Sequence, residues 1–249
     1  MTFGTLLVKE FTQLWRTRRA VVLPVLFLFF GILNPVMLHM MPKLLESQGL
    51  NITIPPPTPE QAVGEYYDSV SGLLAIGVVL VSMGMVAEEK SRGTAEMVLS
   101  KPVKHSSFIV AKFTAHSVLA VSSFSLGAAI CAYYTQLLIG TLSFLRVAES
   151  MVLMAVFLIF LVSLVLLFST LFRSQVIAGF ASLVAFFGLG ILPSLSRALR
   201  STAPHGLYKM ALESLSGPVD GAWTGVLSVA VTSAVLVAAS FLLLERQEI

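Results

Sequence analysis

Six long apolar runs constrain this chain more than any other feature of its sequence. Each run lacks Asp, Glu, Lys and Arg. Each is long enough to cross a bilayer, because ~30 Å of hydrocarbon needs about 20 helical residues at ~1.5 Å per residue. The runs are continuously apolar, without the alternation typical of membrane strands, so they are predicted to be helices rather than strands of a barrel. The predicted spans cover about residues 20–41, 68–87, 117–140, 150–172, 176–195 and 223–244.

The rest of the composition agrees with a membrane protein. Hydrophobic residues make up 56% of the 249 positions and charged residues only 12%. The predicted fold class is therefore all-α, a polytopic membrane protein with one transmembrane domain over residues 1–249. The net charge of +3 is not gathered on a soluble domain, which argues against nucleic-acid binding and leaves membrane lipid as the surrounding partner.

Lysine and arginine placement predicts the orientation, since basic residues concentrate in cytoplasmic loops. An even number of spans puts both termini on one side. That side would carry five basic residues of the loop 88–112, together with Lys9, Arg16, Arg18, Arg19, Arg173 and Arg246. The other side would carry Lys43, Arg146, Arg197, Arg200 and Lys209, partly offset by Glu46, Glu60 and Glu65. Both termini are therefore predicted to be cytoplasmic.

Residues 3–19 predict an amphipathic helix at the cytoplasmic interface. Its apolar positions fall at roughly helical spacing, and they are Leu6, Leu7, Phe11, Leu14 and Trp15. The residues between them, Lys9, Glu10, Gln13 and Arg16, are expected to form the polar face. A simple extension of the first span is the alternative.

The outer segments predict loops and one or two short helices. Residues 42–67 are expected to form the first external loop, with extended geometry at the prolines and with Tyr66 and Tyr67 in an interfacial aromatic belt. Residues 197–223 could form one or two helices that lie on the outer surface. The small-residue stripe Ala230, Ala234 and Ala238 predicts helix packing, either within the bundle or at a subunit interface.

Residues 88–112 form a charged island in this apolar chain. Glu88 to Arg92 close the second span, and Gly93 is predicted to break the helix. Thr94 is a plausible N-cap for a short helix over Ala95–Ser100, which Lys101-Pro102 ends because proline disfavours helical geometry in the residue before it. Another helix, from about Ser106, would run into the third span. The short helix would expose a few apolar side chains that suit a groove on a soluble partner.

This island resembles the permease subunits of type-2 ABC exporters, the family that includes the NosY-like permeases. The matching positions are Glu89, Gly93-Thr94, Glu96, Val98-Leu99, Ser100, Pro102-Val103 and Lys112. The amphipathic N-terminal helix, the six spans and the tight turn at Arg173–Gln175 fit the same family. The sequence departs from its usual leucine-rich run, which is Met97-Val98-Leu99 here.

The resemblance implies that the short helix is a coupling helix on a separate ATPase subunit. The residues expected at that interface are Glu89, Arg92, Gly93, Thr94, Ala95, Glu96, Met97, Val98, Leu99, Ser100 and Pro102. Interfacial anchoring is the alternative role for Glu88, Glu89 and Arg92. The resemblance also implies a dimer with a second permease subunit, identical or related, in a prokaryotic plasma (inner) membrane. ATP and magnesium would bind the ATPase, and no cofactor is expected in this chain.

Two other function classes compete with this interpretation. Glu88-Glu89 and Arg92 are similar to the motif of CAAX-type intramembrane proteases, but the spacing to the arginine is one residue short and the four histidines are scattered. Neither a phosphate-binding loop nor a hydrolase motif is found, so an enzyme is not predicted. An ion channel or secondary transporter usually carries ionisable residues within its spans. The central parts of these spans have none. Drugs, lipids, peptides and cofactor-maturation cargo are all compatible with this sequence as transported substrates.

Overall fold

The computed structural model describes residues 3–47, 55–93, 105–195, 204–219 and 221–246, and these ranges contain helices and no strand. The first helices are α1 (Phe3–Arg16), α2 (Arg19–Ser47), α3 (Pro59–Ser69), α4 (Ala75–Ser82) and α5 (Ala87–Ser91), with a π-helical turn at Val70–Leu74 between α3 and α4. The later helices are α6 (His105–Leu138), α7 (Phe144–Leu171), α8 (Gln175–Leu195), α9 (Pro204–Ser216) and α10 (Ala222–Arg246).

The all-α polytopic fold is confirmed. Five helical segments in the described ranges are long and apolar enough to cross a membrane, namely Arg19–Ser47, Pro59–Ser91, Ser106–Leu138, Phe144–Leu171 and Ala222–Arg246. The fifth predicted span, residues 176–195, corresponds to α8, a helix of 21 residues that is apolar overall as far as Ile191, where its described side chains end. The predicted amphipathic helix is α1, and its end at Arg16 is earlier than the predicted boundary at residue 19.

The first external loop is shorter than predicted, because both of its ends are helical. Helix α2 continues through Pro42 to Ser47. Helix α3 begins at Pro59, where Thr58 and Gln61 each accept a hydrogen bond from the other's backbone N–H. This reciprocal cap is the Thr-x-x-Gln signature of a helix start. The consecutive prolines before Pro59 predict an extended loop, whereas the local capping signature decides the structure from Pro59 onward.

The core lies where α3, α6 and α7 meet. Tyr66 and Tyr67 are both fully buried there, so the prediction that they form an interfacial belt is wrong. The Tyr66 hydroxyl donates to the carbonyl of Phe124 at 3.2 Å, and the Tyr67 hydroxyl lies 2.7 Å from Ser150 Oγ. A buried tyrosine needs such a partner. The two tyrosines fix α3, the first part of the second span, against α6 and α7.

Helix α9 is part of this packed bundle. A helix was predicted in this region, but on the outer surface. Instead Leu207 and Ala211 are fully buried, and Leu215 is 5% exposed. Helix α9 packs against α7 and also contacts α3, α8 and α10. Its i, i+4, i+8 apolar positions therefore close the bundle rather than rest on it.

Helix α10 is more peripheral. Leu227, Val231 and Val235 are each about 60% exposed, which suits a helix that faces lipid. The predicted stripe Ala230, Ala234 and Ala238 is also exposed. It lines an open apolar groove of about 560 Å³ against α6 and α7. The stripe is thus not packed within this chain.

Helix α2 is held to α6 by a very close crossing. A Cβ atom on Gly31 would lie 2.4 Å from the carbonyl oxygen of Gly127, and one on Gly127 would lie 2.6 Å from the carbonyl oxygen of Phe27. Only glycine allows backbones to approach this closely, and small residues are the usual means of tight packing between membrane helices.

We expect Gly31→Ala to destabilise the protein by about 1–3 kcal/mol, the usual effect of forcing an extra group into a packed site. The clash is with backbone, which cannot turn aside. Gly188→Ala is the matched control, since a Cβ there would meet no atom within 4 Å. Thermal unfolding of the detergent-solubilised protein measures both. Equal stability of the two variants would contradict the crossing.

Candidate functional site

Helix α1 turns away from α2 at Thr17 and Arg18, where Arg18 adopts a left-handed φ of 59°. The buried face of α1 consists of Leu6, Glu10 and Leu14. Other bulky apolar side chains of α1 point outward, and Val8 and Trp15 are 66% and 69% exposed. The prediction that Glu10 lies on a polar outer face is therefore wrong. Glu10 faces inward because another helix supplies its counter-charge, which spacing within α1 could not indicate.

That counter-charge belongs to a buried ion-pair cluster of Lys9, Glu10, Glu89 and Lys112. Lys112 Nζ lies 3.1 Å from Glu10 Oε1 and 3.0 Å from Glu89 Oε1. Lys9 Nζ lies 2.9 Å from Glu89 Oε1 and 3.5 Å from Glu10 Oε1. Two ammonium groups and two carboxylates alternate, so the cluster is electrically neutral. It joins α1, α5 and the start of α6.

Three of the four side chains in the cluster are shielded from solvent, whereas Lys9 is 39% exposed. The side chains of Lys112, Glu10 and Glu89 are 1%, 5% and 8% exposed. Lys112 Nζ also lies 4.9 Å from the centroid of the Phe108 ring, at cation–π distance. Burial alone would lower the pKa of Lys9, but the hydrogen bond to Glu89 and the charges of Glu89 and Glu10 raise it above its usual value. Lys9 is therefore held in its charged form.

Helix α5 also carries a second, more exposed set of ion pairs, which Glu88 forms with two arginines. Glu88 Oε2 accepts from Arg19 Nη2 at 3.0 Å, and Glu88 Oε1 lies 2.8 Å from Arg92 Nη2. Arg92 is 70% exposed, so this pair contributes little to stability. Together the two sets join α5 to α1, to the start of α2 and to the start of α6.

Three of the predicted interface residues lie in the described part of the chain, and each is placed differently. Glu89 is buried in the cluster, and Arg92 is on the surface. Gly93 ends the helix as predicted, with a left-handed φ of 67° and its N–H donating to the Lys90 carbonyl at 3.2 Å. The remaining residues lie outside the described part of the chain, and they are Thr94, Ala95, Glu96, Met97, Val98, Leu99, Ser100 and Pro102. Their contact with an ATPase stays a prediction.

The charges around Glu88 and Glu89 bear on the protease alternative. Both glutamates form ion pairs with basic side chains. His116, one turn after Lys112, has its Nδ1 atom 3.1 Å from Ser82 Oγ. Within the described ranges, no three His, Cys, Asp or Glu residues lie together in a group that could hold a metal ion. Glu88 and Glu89 are thus ion-pair partners of basic side chains in the described part of the chain.

Comparison with known proteins identifies the family. A family model described as "ABC-2 family transporter protein" matches residues 5–249, from α1 to the C-terminus. The chain belongs to the ABC-2 transporter family. A relative, the uncharacterized transmembrane protein YxlG of Bacillus subtilis (strain 168), is 30% identical over 206 residues, which is 81% of this chain and 77% of that protein. The resemblance drawn from residues 88–112 is confirmed, and the protein is a transmembrane component of an ABC transporter.

Sequence reasoning found one half of the cluster and missed the other. Glu89 and Lys112 were both among the positions that match the family. Lys9 and Glu10 were assigned to a solvated face. The available signal was the placement of Glu10 midway between Leu6 and Leu14 at i, i+4 spacing, which puts all three on one face.

We expect Lys112→Met to destabilise the protein by about 3–5 kcal/mol, because it leaves Glu10 and Glu89 buried without their shared cation. The control is Arg92→Gln, which removes an exposed pair and is expected to change stability by less than about 1 kcal/mol. Chemical or thermal unfolding in detergent measures both. A neutral Lys112→Met variant would contradict the burial of the cluster.

Proposed function

We propose that this protein is the permease subunit of an ABC exporter, driven by a separate cytoplasmic ATPase that docks on residues 93–100. The observation that carries the proposal is the buried ion-pair cluster. It binds α1, α5 and the start of α6 into one unit directly at both ends of the segment 94–104. A force applied to that segment would therefore reach the second and third spans together.

The buried charges explain how movement of the segment 94–104 would be transmitted to the spans. A carboxylate and an ammonium group removed from water attract each other much more strongly than they do at a surface. The cluster therefore resists separation of α5 from α6 when a partner moves them. ATP-driven closure of two ATPase subunits would displace the short helix and favour one conformation of the bundle, provided that the ATPases bind that conformation better.

The same site indicates which end of the bundle would face the cytoplasm. The cluster end of the bundle would face the cytoplasm of a prokaryotic cell, with both termini on that side, as the basic residues predict. ATP and magnesium would be bound by the ATPase, with no cofactor in this chain. The apolar spans suit an amphipathic or lipid-like cargo.

A second permease subunit would complete the transport path. Helix α8 offers the surface for it, since Val176, Phe180 and Val184 lie at i, i+4 spacing and are 66%, 70% and 56% exposed. Helix α8 also packs against α4 and α5. A displacement of α5 would thus reach a path that lies between two copies at α8.

A charge reversal tests ATPase docking. We expect Glu96→Lys to reduce co-purification of the ATPase subunit at least about tenfold, as loss of an interface charge pair would, without changing insertion. Glu213→Lys makes the same charge change on α9, away from the cluster, and should leave co-purification unchanged. Full ATPase recovery with Glu96→Lys, at matched expression, would argue against this loop as the docking site.

Cysteine crosslinking tests the dimer. With the single native cysteine, Cys131, replaced by serine, Phe180→Cys should form a disulfide-linked dimer when an oxidant that accepts the two electrons, such as copper phenanthroline, is added to native membranes. Thr232→Cys is the control, since it is exposed on α10 on the side opposite Ala234. Efficient crosslinking through Ala234→Cys with none through Phe180→Cys would move the interface to α10 and contradict the assignment to α8.

A further inference from the structure

The second span is broken close to the charged end of the molecule. Helix α4 ends at Ser82, Met83–Val86 form a turn, and α5 starts at Ala87. A buried side chain from another helix occupies the break. The hydroxyl of Ser169, on α7, donates to the carbonyl of Met83 at 2.9 Å and accepts from the backbone N–H groups of Ala87 and Val86 at 3.0 and 2.9 Å.

This hydroxyl takes the place of a helical hydrogen bond. In an uninterrupted helix the N–H of Ala87 would donate to the carbonyl of Met83, four residues earlier. Here Ser169 bonds to both groups, so it is inserted into the ladder between them. Insertion of a side chain into the i→i−4 ladder is an established cause of sharp local bends in helices. The backbone groups stay satisfied although the helix is interrupted.

The break is closely packed. A Cβ atom on Gly84 would lie 3.0 Å from both Gln175 Oε1 and Glu88 Oε2. A Cβ atom on Gly179, on α8, would lie 2.8 Å from Met83 Sδ. Glycines on both sides thus let α8 approach the turn. The break is a packed feature of the bundle and not a frayed helix end.

The two sides of the break belong to different units. Helix α4 lies in the packed core of the bundle, where Val78 and Val79 are fully buried. Helix α5 carries Glu88 and Glu89, whose ion pairs attach it to α1, α2 and α6. The single span is thus divided into a core segment and a charged segment that is fixed to the base of the loop.

We propose that Met83–Val86 is a hinge of the second span and that Ser169 is its positioning residue, which holds the hinge in the observed conformation. Displacement of the loop rotates α5 about this turn while α4 stays packed, and the Ser169 hydroxyl keeps the freed backbone groups bonded. The inference rests on the proposed function only for the source of the displacement, the ATPase.

Hydrogen exchange of the full chain in detergent tests the role of Ser169 without any partner. In Ser169→Ala the amides of Val86 and Ala87 should exchange about tenfold faster, as expected for loss of roughly one net hydrogen bond. Ser169→Thr keeps the hydroxyl and should exchange like the wild type. Ser163→Ala is the matched control, since Ser163 is equally buried on α7 but donates to the Phe160 carbonyl of its own helix. Unchanged exchange in Ser169→Ala, or an equal rise in Ser163→Ala, would overturn the inference.

The wild-type complex tests the hinge without a substitution, so the test survives if Ser169→Ala fails to fold. Residues 83–87 should exchange faster in the ATP-bound, vanadate-trapped complex than in the nucleotide-free complex, while residues 75–82 should not change. An ATPase-bound chain with no nucleotide-dependent change at 83–87 would overturn the hinge. If no ATPase copurifies, the proposed function fails, and the exchange of the isolated chain still decides the role of Ser169.

Discussion

The rest of the structure depends on how Lys112 and the two carboxylates beside it are buried together where α1, α5 and α6 meet. An isolated carboxylate or ammonium group in a low-dielectric interior costs several kcal/mol, and a partner repays this only when the geometry is good. Lys112 is 1% exposed and is flanked by Glu10 and Glu89 at about 3 Å. Neither carboxylate can be buried there without the lysine. The amphipathic helix α1, the end of the second span and the start of α6 must therefore be in register with one another.

This constraint links the fold to the proposed coupling. Apolar contacts between membrane helices gain little from the hydrophobic effect, because lipid tails are as apolar as the side chains they replace. An ion-pair cluster resists separation more strongly, since a small separation exposes uncompensated charge. In the proposed coupling the charged end of the bundle moves as one body, and the broken second span is the place where that body joins the packed core. The cluster would transmit movement among α1, α5 and α6, whereas the turn supported by Ser169 would let α5 move relative to α4.

Sequence reasoning succeeded where one element carries the whole signal. Long charge-free runs marked the spans, and Gly93 marked the end of the helix, because a left-handed residue is a local requirement. It failed where a second element decides the outcome. Tyr66 resembles an interfacial aromatic, but a carbonyl on α6 satisfies its hydroxyl inside the core. The sequence does not distinguish Ser169 from the other serines of the apolar spans, because its role depends on the turn between α4 and α5 that packs against it. The start of α3 was a different kind of error, because the capping signature at Thr58 is local and was outweighed by the prolines before it.

The most direct test of the account is site-specific photocrosslinking at Val98 of the otherwise unaltered chain in its native membranes. A crosslinking amino acid at Leu145, which is 77% exposed at the far end of the bundle, is the control. The account predicts that Val98 forms an adduct with a cytoplasmic nucleotide-binding ATPase subunit and that Leu145 does not. Adducts of Val98 with lipid alone, from membranes in which the chain is intact and inserted, would contradict the proposed coupling.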